Sequence, residues 1–323
     1  MPSHATSRIF RCKPCLFGKG GSLQPYGIQS TALRYFLEVV RCGSISEASQ
    51  RLNVAASAVS RQIAKLEREL ETPLLERRAR GVVPSVAGER LAVHARKAQL
   101  ASEQVAAELR GLADLRRGQV RLATTEGFSL DFLPEVIAAF RQGYAGIHFS
   151  LEVCAPAVVT RRVQEGDADL GLTFSLRPEP DIRVDANLSG AIEAVVAPDH
   201  PLAGRTDLSL ADLQPYPLAL PMPDTTVRQL FDICCGVQGL SFEPVLVSNN
   251  MQALYRFAAL GGGVALSSEL SLRSRLREGQ LLALPLRDDG LAARRIELQS
   301  MAGRELPPAV NAFRHALIGA LGP

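Results

Sequence analysis

The sequence predicts a winged helix-turn-helix unit at its amino end, a long helix behind it, and a carboxyl-terminal α/β domain. Three observations predict this. Between Leu33 and Glu89, amphipathic helical stripes are separated by short breaks and followed by an arginine-rich hairpin. From Val86 to about Leu115, apolar and small residues recur with a 4-3 spacing. After Gly118 the pattern changes to alternating strands and helices.

The first helix is predicted from Leu33, Phe36, Leu37 and Val40, an i, i+3, i+4, i+7 stripe that would face a core. Gly43 permits a tight turn, and Ser44 can cap the next helix by accepting its orphan N–H groups. Residues Ser46 to Leu52 make a second helix too short to stand alone. Its small Ala48 lets another backbone approach closely. After a break at Asn53-Val54 comes a third helix, Ser57 to Leu70, with Val59, Ile63, Leu66 and Leu70 on one stripe. Ser57, Ser60, Arg61, Gln62 and Lys65 occupy its other faces. Polar and cationic side chains near a helix amino-terminus are what reading a major groove requires. A hairpin follows from Leu75 to Val83, with Arg77, Arg78 and Arg80 beside Gly81. These arginines suit phosphate or minor-groove contact, and a merely solvated hairpin would carry them too. Ser85 can cap the helix behind it.

In that long helix Leu91, Ala95, Ala98, Ser102, Val105, Leu109 and Leu112 form the seam of a coiled coil, while Arg96, Lys97, Glu103 and Glu108 lie outside it. A helix packed on its own domain would show a similar stripe. The expected role of residues 89–117 is dimerisation, which would set two reading helices on successive groove turns of a partly palindromic site.

Val120 to Thr124, His148 to Val153 and Asp169 to Thr173 read as strands, with helices Leu130 to Gln142 and Val158 to Glu165 between them. This β-α-β-α-β order predicts a parallel sheet with ligands beyond the carboxyl ends of its strands. A second unit begins near Ala191 with a strand Ile192 to Val196. It adds helices Thr226 to Gly236 and Met251 to Leu260, and a strand Val264 to Leu266 after Gly261-Gly262-Gly263. A strand Arg295 to Met301 returns to the first unit, and a helix Ala309 to Leu321 closes the chain.

The motifs of the amino-terminal part closely resemble those of the LysR-type transcriptional regulators. The residues that carry the likeness are Leu33-Arg34-Tyr35-Phe36, Gly43-Ser44-Ile45, Ala48-Ser49-Gln50-Arg51-Leu52, Ser60-Arg61-Gln62-Ile63, Leu66-Glu67, Leu74-Leu75-Glu76-Arg77 and Ala87-Gly88. Gly118-Gln119-Val120-Arg121, Gly166-Asp167-Ala168-Asp169-Leu170, Ala197-Pro198-Asp199-His200-Pro201-Leu202 and Gly262-Gly263-Val264-Ala265 extend it. The resemblance implies a two-lobed effector domain like a periplasmic binding protein, with an effector in the cleft. It also implies a dimer or a tetramer, and RNA polymerase as a further partner. Three departures stand out. Ala55-Ala56 replaces the usual Ser-Gln before the reading helix, and Pro84-Ser85 replaces Leu-Thr. Cys154-Ala155-Pro156-Ala157 stands where relatives commonly place hydroxyls that hold an effector carboxylate, which leaves the ligand's chemistry open.

Expected cleft residues lie just after strands or at helix amino-termini, where free N–H groups and hydroxyls favour anions. They are Thr124, Thr125 and Ser129 after the first strand, Phe174 after the third, Thr225 and Thr226 opening a helix, and Asn249 before another. Plain N-capping would equally account for each Thr or Ser.

The expected division is therefore an extension 1–29, a winged helix-turn-helix 30–88, a linker helix 89–117 and an effector domain 118–323. Within the last, lobe I takes 118–190 and 296–323, and lobe II takes 191–295. Net charge is only +3, but the first 29 residues carry four cations and no anion, and residues 30–90 ten cations against seven anions. Residues 91–323 carry twenty-two against twenty-six, so only the amino-terminal part suits phosphate. No apolar run approaches the roughly eighteen residues of a membrane span. The amino terminus lacks a signal-peptide core, so a cytoplasmic location is expected. Cys12 and Cys15 make one CxxC with no second ligand pair at finger spacing, so no metal is expected. Cys234-Cys235 could be a redox pair, but neighbours on a helix point about 100° apart and buried cysteine is common.

Two other functions would leave different marks in the sequence. An enzyme would need convergent acid, base or nucleophile groups. His4, His94, His148, His200 and His315 are scattered, and no HExxH, GxSxG or GxxxxGK[ST] occurs. An architectural DNA-binding protein would lack a ligand, and ligand-induced stabilisation separates it from a sensor. The reading is a DNA-binding, effector-responsive transcription factor without cofactor.

Overall fold

The computed structural model describes residues 30–78, 81–109 and 118–322. The extension 1–29 with its CxxC, Arg80 and Leu112 lie outside them. Three helices, α1 Thr31–Cys42, α2 Ile45–Leu52 and α3 Ala56–Glu69, are followed by the hairpin β1 Leu75–Arg78 and β2 Gly81–Pro84, and then by α4 Val86–Leu109. Each break has a local cause. Gly43 takes the left-handed conformation that ends α1, with φ 64°, and Ser44 then accepts the Glu47 N–H as cap of α2. Asn53, at φ 54°, ends α2. Ser85 accepts the Gly88 N–H at 3.0 Å and so caps α4.

Two small cores form around α1. Tyr35, Val39, Ala48, Val59 and Ile63 make one; Phe36, Leu66 and Leu74 make the other, with Leu33, Val40 and Leu91 packed against it. The expected α1 stripe is thus rotated. Tyr35, Phe36 and Val39 are its buried residues, because α1 is covered from two sides rather than one. Leu70 is likewise corrected: α3 ends one residue earlier, and Leu70 is 47% exposed. The wing is tied to the α1–α2 turn by Val82 N–H donating to the Gly43 carbonyl at 2.8 Å. Glu67 accepts the N–H groups of Leu74 and Leu75 at 2.8 and 3.2 Å, fixing where the hairpin starts.

Lobe I holds β3 Gly118–Thr124, α5 Glu126–Ser129, α6 Phe132–Gly143, β4 Ile147–Val153, α7 Pro156–Gln164, β5 Leu170–Ser175 and β6 Ile182–Ser189. Lobe II holds β7 Glu193–Val196, β8 Leu218–Pro221, α8 Thr226–Gln238, β9 Leu246–Ser248, α9 Met251–Ala259, β10 Val264–Ser267, α10 Arg273–Arg277 and β11 Leu282–Pro285. The chain then re-enters lobe I as β12 Arg295–Met301 and α11 Pro308–Leu321. The sheet orders are β4-β3-β5-β12-β6 and β11-β7-β10-β8-β9.

Neither sheet is purely parallel. In lobe I β3 runs parallel to β4 and β5, but β12 is antiparallel to both β5 and β6. In lobe II β8 runs parallel to β9 and β10, while β7 is antiparallel to β10 and β11. The cause is the double crossover: the chain comes back from lobe II and so enters the first sheet from the opposite end.

Lobe I is held by an aromatic set. Phe140 and Phe149 both meet Phe313 of α11 edge-on, at 5.1 and 4.7 Å between ring centres. Such pairs add about 0.5–1.5 kcal/mol beyond burial. Lobe II packs two cores, one on each face of its sheet. The two buried cysteines, Cys234 and Cys235, belong to the first of these cores, and both thiols are free.

The α4 seam differs from expectation. Ala95 is fully buried within the chain, and Leu100, off the seam, is 3% exposed. Leu100 packs with Val159, Val163 and Met301 of lobe I. One face of α4 is therefore an intramolecular face, while Val93 and Val105 remain exposed. No helix among the described residues is long and apolar enough to cross a membrane.

Candidate functional site

Helix α3 exposes Ser57, Ser60, Arg61 and Lys65 and leaves Gln62 half-buried, while Val59, Ile63 and Leu66 hold its other face to the core. Arg61 makes no ion pair or hydrogen bond among the described residues. Lys65 sits 3.7 Å from Glu69, an exposed pair that constrains it little. Arg61, Gln62, Lys65 and Arg68 line one shallow groove. Arg68 is a cation that the sequence reading passed over, though its place one turn beyond Lys65 was the signal. Ala55 precedes α3 without a side-chain cap, so no side chain at that position claims the first N–H groups of the helix. On the wing, Arg77 is exposed and Arg78 lies 3.5 Å from Glu76, equally exposed.

The second feature is the cleft between the lobes, about 350 Å³. It lies at the carboxyl ends of the parallel strands, as the strand order requires. Of the expected residues, Thr125, Phe174, Thr225, Thr226 and Asn249 line it together. Thr124 and Ser129 do not. The Thr124 hydroxyl is buried and donates to the Leu172 carbonyl at 2.8 Å, stitching β3 to β5. The Ser129 hydroxyl donates to the Glu126 carbonyl inside its own turn, at 2.8 Å. Thr225 caps α8, accepting from the Arg228 N–H at 3.3 Å, and Asn250 rather than Asn249 caps α9.

Sequence reading missed the deeper part of this cleft: Arg294, Tyr255, Ser267, Ser268 and Glu126. Tyr255 and Ser267 share a hydrogen bond of 2.6 Å, and Ser268 bonds Ser271 at 3.1 Å. Burial pushes the Tyr255 hydroxyl up to about 12, so it stays protonated at neutral pH. Glu126 accepts the Met251 N–H at 3.0 Å, a carboxylate from lobe I closing the first turn of a lobe II helix. Arg294 lies in the crossover before β12 and is 1% exposed. Cys154, Ala155 and Pro156 form one wall. Burial holds the Cys154 thiol near 11, above the range of a reactive thiolate.

A third, larger groove of about 1150 Å³ is lined by residues of α1, α4 and lobe I. Its floor is ionic. Asp167 pairs with Arg96 of α4 at 3.0 Å, with Arg162 of α7 at 3.2 Å and with Arg41 of α1 at 3.5 Å. Arg96 also donates to the carbonyls of Glu165 and Gly166. Among the described residues no group of three or more His, Cys, Asp or Glu side chains could hold a metal ion.

This combination, a winged helix-turn-helix and a two-lobed binding domain joined by a long helix, defines a class of ligand-gated DNA-binding proteins. Residues 30–89 match the family of bacterial regulatory helix-turn-helix proteins of the lysR family, and residues 113–322 match the LysR substrate binding domain. The chain is 26% identical over 287 residues to a RuBisCO operon transcriptional regulator of Allochromatium vinosum, covering 88% of this chain and 94% of that one. It is 30% identical over 292 residues to the transcriptional dual regulator GltC of Bacillus subtilis, covering 88% and 95%. Among solved structures, ArgP of Mycobacterium tuberculosis superposes with a TM-score of 0.67 at 20% identity, over 91% of this chain and 97% of that one. The chain belongs to the LysR family of transcriptional regulators; it carries a DNA-binding and an effector-binding domain and is not an enzyme.

Proposed function

We propose that Ser57, Ser60, Arg61, Gln62 and Lys65 read bases and phosphates in a major groove, and that Arg77, Arg78 and Arg80 hold the flanking backbone. The observation that carries this is Arg61, exposed on the face of α3 opposite its buried stripe and unpaired among the described residues. Residues 30–88 act as the reading unit, 89–117 as the dimerising linker and 118–323 as the sensor. Dimers or tetramers then span a partly palindromic operator in the cytoplasm, where RNA polymerase is within reach. Thr125, Phe174, Thr225, Thr226 and Asn249 take a small-molecule effector between the lobes, with Thr124 holding β3 behind the first of them through its bond to the Leu172 carbonyl. Effector binding changes the angle between the lobes, and lobe I passes that change to α4 through Arg96 and Leu100.

The test is a gel shift and footprint on DNA upstream of this gene and its divergent neighbour. Arg61→Ala should lose the protected site while keeping the wild-type melting temperature. Equal binding by the variant removes Arg61 from the interface.

A further inference from the structure

We infer that the cleft takes a compact organic anion, its negative group bound by the Arg294 guanidinium and the Thr125 hydroxyl. This rests on the reading of the cleft as the effector site. The first support is a cation with no counter-charge. Arg294 is almost wholly enclosed, yet among the described residues no carboxylate pairs with it. Its Nε donates to the Gly190 carbonyl at 2.8 Å, and its plane lies 3.8 Å over the Phe174 ring. Its Nη2 is buried without a hydrogen-bond partner. A buried charge left unpaired is among the most costly arrangements a fold can hold, and a stacked ring offsets only a part of that cost.

The second support is independent. The Thr125 hydroxyl, 7% exposed, is also buried without a partner in the same cleft. One orphan is a donor only, and the other can donate or accept, so a carboxylate satisfies both. Nearby hydroxyls are already engaged with one another, as in Tyr255 with Ser267. The two acids at the cleft do not neutralise Arg294: Glu126 is held by the Met251 N–H, and Asp224 is exposed. Burial draws the Arg294 guanidinium down to about 9, opposed only by the Tyr255 hydroxyl, so it remains a cation at neutral pH.

Size and lining complete the description. A cleft of about 350 Å³ has room for about a dozen water-sized groups. Val153, Pro156, Met222 and Val227 supply apolar wall. The ligand class is therefore a small carboxylate with an apolar body. With Arg294 at the crossover and Thr125 at the end of β3 as partners, the anion does not depend on hydroxyls at Cys154-Ala155-Pro156-Ala157.

The experiment is a thermal-shift and calorimetric comparison on the full chain, using shape-matched pairs: benzoate with benzamide, and cyclohexanecarboxylate with its amide. The acids should raise the melting temperature and the amides should not. Arg294→Gln should weaken acid binding about tenfold to a hundredfold, the range of a lost charge-assisted bond. Thr125→Val should weaken it less, and Arg294→Lys should keep part of it. A purely structural Arg294 would instead lower the unliganded melting temperature in Arg294→Gln and leave acid-over-amide preference unchanged; that result overturns the inference. Amides that stabilise as well as acids overturn the anion while leaving the cleft as effector site. Silence from every acid and amide removes both.

Discussion

Arg96 of the linker helix and Asp167 of the first lobe form an ion pair of 3.0 Å, with the Arg96 side chain 16% exposed and its fork also bonded to the Gly166 carbonyl. A helix expected mainly to meet a second copy of the chain is thereby fastened first to its own sensor. Gly166 makes room for it: a Cβ there would meet Leu100 at 2.5 Å. Arg96→Ala should destabilise the chain by about 1–3 kcal/mol, as a part-buried charged hydrogen-bond set is lost. It should also flatten the effect of effector on operator affinity. Denaturant unfolding and effector-titrated gel shifts check the two parts separately.

Asp169 is the acidic member of the same Gly166–Leu170 motif that is fully enclosed. Burial alone would raise its carboxyl, but the bidentate Arg121 and then Arg304 outweigh it and hold it below the usual carboxylate range. Because the folded value is depressed, this stabilisation is complete above the unfolded Asp value of about 3.9. It is lost as pH falls below that value and through the folded one. Asp169→Asn should therefore cost about 3–5 kcal/mol at pH 7 by leaving two guanidiniums unpaired. The difference between variant and wild type should shrink below about pH 4, as read by urea unfolding across pH.

Gly81 has φ 128°, and a Cβ there would sit 2.4 Å from the Gly43 carbonyl oxygen. Gly81→Ala should cost about 1–3 kcal/mol and unseat the wing. Wild-type stability in thermal unfolding would show that the wing turn tolerates a side chain.

Ala55 gives α3 a starting residue of extended conformation, φ −67° and ψ 139°, with nothing to offer the helix. Ala55→Ser should stabilise the domain by about 1 kcal/mol through a new cap. Chemical denaturation measures the gain; no gain would mean that the hydroxyl cannot reach the free N–H groups.

Phosphate contacts of the kind proposed for the exposed wing cations contribute affinity that salt screens. Arg77→Ala and Arg78→Ala should each lower the slope of log affinity against log salt by about one, with little change in the sequence preferred. A loss of preference with unchanged slope would assign them to base contact instead.

The amino-terminal architecture was legible because its breaks are chemical: Gly43, Ser44, Asn53 and Ser85 each do in the fold what their side chains suggest. Burial at α1 was misjudged because a single stripe describes a helix covered from one side, and α1 is covered from two. In the α/β part, β8 and β11 both read Leu-Ala-Leu-Pro, too short for either period to declare itself. The strand β6 was legible and was missed: Ile182, Val184, Ala186 and Leu188 alternate with polar residues along an edge strand. Cleft residues at strand ends and helix starts follow from topology, so Thr125 and Thr226 could be found. Arg294 could not be found in that way. It lies in a crossover, and only the paired lobes bury it.

Gly190 and Arg294 bond each other twice, since the Gly190 N–H donates to the Arg294 carbonyl at 2.9 Å and the Arg294 guanidinium donates back. These residues belong to the two strands of chain that join the lobes, so the lobe rotation proposed above would pivot on them. A pivot is the point that travels least during rotation. A ligand gripped there keeps its anchor whether the jaws are open or shut, and its body alone sets the aperture. On that proposal, what leaves the site toward the linker helix is an angle, magnified with distance from the axis, rather than a shift of the anchor itself.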